Sequence, residues 1–174
     1  MCGIIGIISE EDVSSSIYES LTVIQHRGQD AAGMATLEDG KLHVRKQIGL
    51  VREVFRAQHI KNLKGKMGIG HVRYPTAGGV TREFSQPLYV NSPYGISICH
   101  NGNLVNSKEL TQELYENDLR HLNTDSDSEV ILNIFANEMQ KINSQSPSPE
   151  EIFSAVEKMH LRLKGAYSVV LMIS

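Results

Sequence analysis

Residues 2–8 read CGIIGII, an apolar run rich in β-branched residues that predicts a strand at the start of the chain. A similar run at residues 67–74, MGIGHVRY, predicts another strand that is broken by Pro75. Asp39-Gly40 between two short strand-like runs is a strong hairpin signal. Strand patterns dominate the first part of the chain, helical patterns follow, and a last strand is predicted at residues 166–173. This order favours an α+β fold over βαβ alternation.

The same reasoning assigns the remaining elements. Strands are predicted at residues 2–8, 32–37, 42–47, 67–74, 88–90, 96–100 and 166–173. The first helix is predicted from a capping box at Ser16 to Glu19 as far as Arg27-Gly28, where Gly28 is expected to take the left-handed conformation that ends many helices. Further helices are predicted at 50–55, from Asn106 to about Glu116, at 127–141, and from Ile152 to a stop at Gly165. The pattern predicts a loop at residues 76–87 and a linker at residues 143–149. Two antiparallel sheets covered by helices fit this census, as do other α+β layouts.

Bulk composition narrows the class of protein. The chain has 174 residues, 40% hydrophobic residues and a net charge of -3, which predicts one domain over residues 1–174 and gives no electrostatic reason to expect nucleic acid or anionic membrane as a partner. No signal peptide or membrane-length apolar run is evident, so a cytoplasmic location is expected. Two cysteines make neither a disulfide framework nor a metal cluster. The strand pattern runs almost to Ser174, which predicts that the domain continues in a longer protein.

Cys2 is the sharpest chemical feature, because it follows only the initiator methionine. Removal of Met1 would leave Cys2 with an α-amine, a group whose ordinary pKa of about 7.7–8.0 suits a base near neutral pH. The residue would then hold a nucleophile and its own base. The plain alternative is a small core residue at the start of a strand.

Three further motifs contain residues suited to binding or catalysis. Arg73 ends an apolar strand beside a Gly-rich loop, which suits capture of a carboxylate, although a surface ion pair is the simpler interpretation. Asn101-Gly102 could form an oxyanion hole or an ordinary turn. Asp125 and Asp127 lie at a predicted helix start, where one could hold an ammonium or both could merely cap the helix. Cys99, by contrast, is predicted to be an inert core thiol, and His26 and Arg27 to complement a helix dipole.

These motifs occur in one order along the whole chain, and together they resemble the class II, or N-terminal nucleophile, glutamine amidotransferases. The residues that carry the resemblance are CGIIG at 2–6, HRGQDAAG at 26–33, GHVRYPTAG at 70–78, HNGNL at 100–104 and TDSDSEV at 124–130. Within the family, QHRGQDAAG and RYPTAG favour the branch that transfers ammonia to phosphoribosyl pyrophosphate (PRPP) in the first step of purine biosynthesis. The branch that makes glucosamine 6-phosphate would carry an RWATHG-like stretch, from which Tyr74-Pro75 departs.

The resemblance implies a fold and a set of roles. The fold is an αββα sandwich of two antiparallel sheets between helix layers. Cys2 is the nucleophile, and Asn101 and Gly102 form the oxyanion hole. Substrate-binding residues are Arg73 for the glutamine carboxylate, Thr76, Gly102, and Asp127 for the ammonium, with Asp125 as the competitor of Asp127. Residues 73–84 match a loop that closes over glutamine.

The resemblance also implies partners and limits. Glutamine is the expected substrate, and a PRPP-binding domain with its Mg²⁺ is expected outside this chain, so the domain itself needs no metal or cofactor. The longer protein could be a homo-oligomer. Alternatives are the glutaminase domain of another class II amidotransferase, such as asparagine synthetase or glutamate synthase, and a regulatory module that binds glutamine without hydrolysing it.

Overall fold

A computed structural model describes residues 2–74 and 82–174, and the described residues form two antiparallel sheets packed face to face. The first sheet has the strand order β1-β4-β2-β3 and the second the order β5-β6-β7. The strands are β1 Gly3–Ile8, β2 Ala31–Glu38, β3 Lys41–Ile48, β4 Met67–Arg73, β5 Leu88–Val90, β6 Ile96–Leu104 and β7 Gly165–Ile173. The helices are α1 Ser14–Val23, α2 Val51–Val54, α3 Ala57–Asn62, α4 Ser107–Glu116, α5 Asp127–Ile142 and α6 Pro149–Arg162.

Three apolar clusters hold these layers together. One cluster packs α1 and α2 on the first sheet around Ile17, Leu21 and Val72. A second and larger cluster packs α4, α5 and α6 on the second sheet. The third lies between the sheets and consists of Ala35, Ile69, Cys99 and Met172. The chain therefore has the αββα arrangement that the resemblance implied.

Several local predictions are confirmed by the elements observed. The Asp39-Gly40 hairpin joins β2 and β3. Helix α5 begins at Asp127 as predicted and buries its apolar face, including Phe135 and Met139. The last predicted helix also forms, as α6, but it begins at Pro149 and not at Ile152, because Ser148 makes an unpredicted capping box and accepts from the backbone nitrogen of Glu151. Among the described residues, no helix is both long enough and apolar enough to span a membrane.

Other local predictions are wrong, and tertiary contacts explain why. Helix α1 begins at Ser14 and not at Ser16, since buried Val13 is bonded to the carbonyl of Gly65 and sets the start of the helix. Asn106 precedes α4 but its side chain bonds to Arg162 and Lys164 instead of capping the helix. Helix α3 was missed because Gln58 to Lys61 carry little apolar period.

Gly28 is extended and not left-handed, with φ at -166°. Its lack of a side chain matters for another reason: a Cβ there would lie 2.4 Å from the carbonyl carbon of Arg73. The chain after α1 therefore runs close against the end of β4, and this contact brings the Arg27 side chain beside Cys2.

Strand β6 extends further than predicted, to Leu104, so that the HNGNL stretch lies in the strand and not in a turn after it. Pairing with β7 continues over this whole stretch, from Ile96 opposite Ile173 to Leu104 opposite Gly165. On its other side, β6 pairs with the shorter strand β5 only from Ile96 to Ile98, where Leu88 is the last partner. One side of β6 is therefore without a neighbouring strand beyond Ile98 among the described residues.

Gly33 on β2 offers a test of how closely the segment before β5 approaches the first sheet. A Cβ at Gly33 would lie 1.9 Å from the backbone oxygen of Gln86. Overpacking usually costs about 1–3 kcal/mol, and Gly33→Ala should lower the free energy of unfolding by about 3 kcal/mol or more because backbone must move. Gly40→Ala is the control, because a Cβ there meets nothing within 4 Å and costs only the left-handed conformation, about 1 kcal/mol. Urea unfolding of both variants measures the difference. Equal losses would contradict the close approach at Gly33.

Candidate active site

A cavity of about 630 Å³ opens where β1 begins, β4 ends, β6 runs out beyond β5, and α5 begins. Its lining includes every residue assigned a role from the sequence except Thr76: Cys2, Arg73, Asn101, Gly102, Asp125 and Asp127. Residues 75–81, which include Thr76 and most of the loop expected to close over the substrate, lie outside the described residues.

Cys2 is half-buried just before β1, and hydrogen bonds of its backbone atoms to two other side chains hold it in place. Its backbone nitrogen donates to the Oδ1 of Asn101 at 3.1 Å, and its carbonyl accepts from the Nε of Arg27 at 3.0 Å. The interpretation of Arg27 as a helix-dipole partner is therefore incomplete, because its guanidinium also binds the nucleophile candidate. No sequence period points to that contact, which spans 25 residues.

The bond to Cys2 also fixes the orientation of the Asn101 amide. A backbone nitrogen carries the hydrogen, so the Asn101 atom facing it must be the oxygen. The amide nitrogen of Asn101 is then the end available to a substrate oxygen. The next residue, Gly102, has φ at +147°, and a Cβ there would lie 2.3 Å from the backbone oxygen of Ala166. Only glycine fits at this position.

Arg73 reaches the cavity from the end of β4. Its side chain is 5% exposed, and its guanidinium carbon lies 5.5 Å from the centre of the Phe84 ring, within reach of a cation-π interaction. The backbone oxygen of Arg73 accepts from the nitrogen of Asp30 at 3.0 Å. A buried guanidinium fixed in this way suits a planar anion such as a carboxylate.

Asp127 and Asp125 both line the cavity but are held differently. Asp127 accepts at Oδ2 from the nitrogen of Leu104 at 3.1 Å, and its Oδ1 lies 3.6 Å from the Nδ1 of His100. Asp125 is exposed. The contacts therefore fix the Asp127 carboxylate at the cavity, which agrees with the choice of Asp127 over Asp125 for a bound ammonium.

Buried polar side chains beside these residues were given no role from the sequence. They are His71 on β4, Gln86 before β5, His100 on β6 and Ser128 on α5. Burial lowers the pKa of His71 to about 3, and burial also lowers the pKa of His100, although Asp127 opposes that shift. Both imidazoles are therefore neutral near pH 7. The signal available in the sequence was membership of the motifs, since His71 lies in GHVRYPTAG, His100 in HNGNL and Ser128 in TDSDSEV.

Cys99 lies between the sheets, and burial raises the pKa of its thiol, in keeping with the predicted inert core residue. Among residues 2–74 and 82–174, no group of three or more His, Cys, Asp or Glu side chains could hold a metal ion.

The chain is similar to several known proteins. A family model described as a glutamine amidotransferase domain matches residues 79–173. The amidophosphoribosyltransferase of Pseudomonas aeruginosa is 56% identical over 174 residues, which is 100% of this chain and 35% of that protein. The enzymes of the same name from Escherichia coli and Saccharomyces cerevisiae are 51% and 46% identical, over 99% and 98% of this chain and 34% of each protein.

Two solved structures share the fold over 99% of this chain and 35% of each matched chain. One is the glutamine PRPP amidotransferase of B. subtilis complexed with ADP and GMP, at a TM-score of 0.80 and 32% identity. The other is described as the allosteric regulatory enzyme of purine biosynthesis, at a TM-score of 0.83 and 35% identity. The chain spans about a third of the length of the relatives it matches.

The buried His71 predicts a pH dependence of stability. The pKa of His71 is about 3 in the folded chain, against an ordinary value of 6.5, mainly because burial disfavours the charged imidazole. The bond to the His100 carbonyl raises the pKa by less than burial lowers it, and the nearby charges of Arg73 and Lys46 lower it further. As the pH falls below 6.5, His71 binds a proton in the unfolded chain but stays neutral in the folded chain. The free energy of unfolding should therefore fall by up to about 1.4 kcal/mol for each pH unit below 6.5.

Urea unfolding at several pH values between about 5 and 7 tests this slope. His71→Gln keeps an N–H donor for the His100 carbonyl and does not titrate in this range, so its stability should depend less on pH. The matched control is His121→Gln at an exposed histidine, which should keep the original slope. An unchanged slope in His71→Gln would contradict the buried neutral imidazole.

Proposed function

The chain belongs to the glutamine amidotransferase domain family, and we propose that it is the glutaminase part of an amidophosphoribosyltransferase. In this proposal it hydrolyses glutamine to glutamate and ammonia, and the ammonia is passed to PRPP to form phosphoribosylamine. The observation that carries the proposal is the meeting of Cys2, Asn101, Arg73 and Asp127 in one cavity, with the Cys2 nitrogen already bonded to Asn101.

The proposed reaction starts with loss of Met1, which turns the Cys2 backbone nitrogen into an α-amine. The amine takes the thiol proton as Cys2 Sγ attacks the amide carbonyl of glutamine. The oxyanion that forms accepts from the Asn101 amide nitrogen and the Gly102 backbone N–H. Because Asn101 Oδ1 accepts one hydrogen of the amine, it orients the lone pair that takes the proton.

The amine then gives its proton to the leaving ammonia, and a γ-glutamyl thioester remains on Cys2. Water hydrolyses the thioester to release glutamate and restore the thiol. Arg73 binds the substrate α-carboxylate, Asp127 binds the α-ammonium, and Thr76 is proposed to contribute from the loop. Glutamine is a zwitterion, so one fixed cation and one fixed anion at the cavity suit its capture.

Transfer to PRPP needs the remainder of the longer protein. The relatives extend well beyond the matched region, and we place the PRPP and Mg²⁺ sites there. This chain alone is then a glutaminase that makes no phosphoribosylamine, and needs no metal or cofactor for hydrolysis. A cytoplasmic location and a homo-oligomeric full-length form remain predictions. A regulatory module without hydrolysis is the rival function, and glutamate release on addition of glutamine separates the two.

The role of the amine gives the first functional prediction. Glutaminase activity should require a free Cys2 α-amine, so intact-mass measurement should find active preparations without Met1. Protein forced to retain Met1, and Cys2→Ala, should both lose hydrolysis while they keep the circular dichroism spectrum of the folded chain. Full turnover by protein that still carries Met1 would exclude the amine as the base.

Steady-state kinetics separate binding residues from the oxyanion donor. Arg73→Lys and Asp127→Asn should each weaken glutamine capture by roughly 10- to 150-fold, the value of one charge-assisted hydrogen bond. Lysine should not rescue Arg73, because an ammonium cannot reproduce the planar fork. Asn101→Ala should instead lower kcat by about 10²–10³, since its donor acts on charge that develops in the transition state.

The control for Asp127→Asn is Asp125→Asn, at the exposed aspartate of the same cavity. It should leave KM near the original value. Near-normal KM and kcat/KM in Arg73→Lys and Asp127→Asn would overturn the assignment of substrate contacts even with Cys2 retained as the nucleophile.

A further inference from the structure

The backbone just before Asn101 is held by side chains where a strand is missing. The β5 and β6 pairing ends at Leu88 opposite Ile98, and one further step of two residues would place Gln86 opposite His100. At this position the side chain of Gln86 takes the place of a backbone partner in the sheet. Its Oε1 accepts from the backbone nitrogen of His100 at 2.6 Å. The backbone oxygen of His100 accepts from His71 Nε2 at 3.2 Å. Both polar groups of the His100 backbone are thus satisfied from outside its sheet.

The orientation of the Gln86 amide follows from these partners. A backbone N–H can only donate, so the oxygen of Gln86 must face His100 and its nitrogen must face the other way. That nitrogen donates to the Oγ of Ser128 at 3.0 Å, and the same Oγ lies 2.8 Å from His100 Nδ1. Gln86 is 7% exposed, and Ser128 and His100 are buried. The three side chains form a closed buried set.

Gln86 is itself held from the first sheet. The ammonium of Lys46 on β3 donates to the backbone oxygens of Ser85 at 2.7 Å and Pro87 at 3.1 Å, on either side of Gln86. The backbone oxygen of Gln86 packs against Gly33 on β2, where no side chain would fit. The amide of Gln86 therefore joins the first sheet to β6 and to the start of α5.

We propose that Gln86 is a positioning residue for the glutamine site, acting through two separate arms. One arm holds the His100 backbone and so places the oxyanion donors Asn101 and Gly102. The other arm holds Ser128 and so places the first turn of α5, which carries Asp127. The inference rests on the proposed glutaminase function and adds a determinant outside the residues that contact substrate in that proposal.

The two arms should separate in kinetics. Gln86→Met keeps the length of the side chain and removes both hydrogen bonds, so kcat should fall and KM should rise, with kcat/KM down by roughly tenfold to a hundredfold, since a misplacement of about 1 Å can cost about 10² in rate. Ser128→Ala removes the Ser128 contacts with Gln86 and with the His100 ring but keeps the bond from the His100 backbone nitrogen to Gln86, so the rise in KM should exceed the fall in kcat. Gln112→Met, at an exposed glutamine on α4, is the matched control and should change neither.

Gln86→Glu provides a rescue that depends on pH. A protonated carboxyl can accept from the His100 nitrogen and donate to Ser128, as the amide does, whereas the carboxylate has no hydrogen for Ser128 and repels Asp127. Activity relative to the original protein should therefore be highest at the acid end of the range and fall as the carboxyl ionises. The ratio for Gln86→Met should stay flat, because methionine does not titrate.

The groups around the substituted carboxyl set where it ionises. Lys46 from β3 and Arg73 from β4 favour the charged form, Asp127 from α5 opposes it, and His71 and His100 are neutral near pH 7. These groups are present in both Gln86 variants, so the comparison of the two pH profiles isolates the new carboxyl.

The experiment uses the full-length protein, with glutamate release as the readout and a thermal melt for each variant. Kinetics of Gln86→Met within twofold of the original protein would overturn the inference. Equal and pH-independent losses in Gln86→Met and Gln86→Glu that track the fall in melting temperature would overturn it too, because they would mark a purely structural role. If the original protein releases no glutamate, the proposed function fails instead, so the two failures are distinguishable.

Discussion

The hydrogen bond between the Cys2 nitrogen and the Asn101 side chain joins the two sheets at the edge of the cavity. The sheets pack face to face over an interior of Ala35, Ile69, Cys99 and Met172, and this bond connects them where β1 begins. The pairing of β1 with β4 places Gly3 opposite Val72, and so brings the start of the chain beside the end of β4, where Arg73 turns into the cavity. The position of Cys2 relative to Arg73 thus depends on the strand register of the first sheet. The position of the oxyanion donors Asn101 and Gly102 depends on the strand register of the second sheet.

Much of this arrangement could be predicted from the sequence, for a physical reason. Helix α5 and the β2–β3 hairpin are specified by local patterns, namely an apolar period and a turn dipeptide, and both are observed. The site residues were found because each belongs to a motif that a known family shares. Five of the six catalytic and substrate-binding residues predicted from the sequence line one cavity, and the sixth, Thr76, lies outside the described residues.

What could not be predicted is the set of contacts between residues far apart in the chain. Gln86 and Ser128 are 42 residues apart, and Arg27 and Cys2 are 25 apart, so no local period or motif spacing reports either bond. The error at Gly28 has the same origin, since a glycine after a helix usually serves as a left-handed cap, and here it yields room for the backbone of Arg73. Buried polar residues of this kind reveal their purpose only when their partners are known.

Strand β7 has a consequence for handling the chain on its own. Its described pairing is with β6 alone, so its outer side presents a row of backbone N–H and C=O groups. The strand reads GAYSVVLMI, without a charged residue or a proline, which are the features that natural edge strands use to discourage association. When this chain is expressed alone, its β7 edges can pair with one another, and self-association should grow with concentration. Charge introduced on the outward-facing positions of β7 is the means by which such a preparation would be kept monomeric.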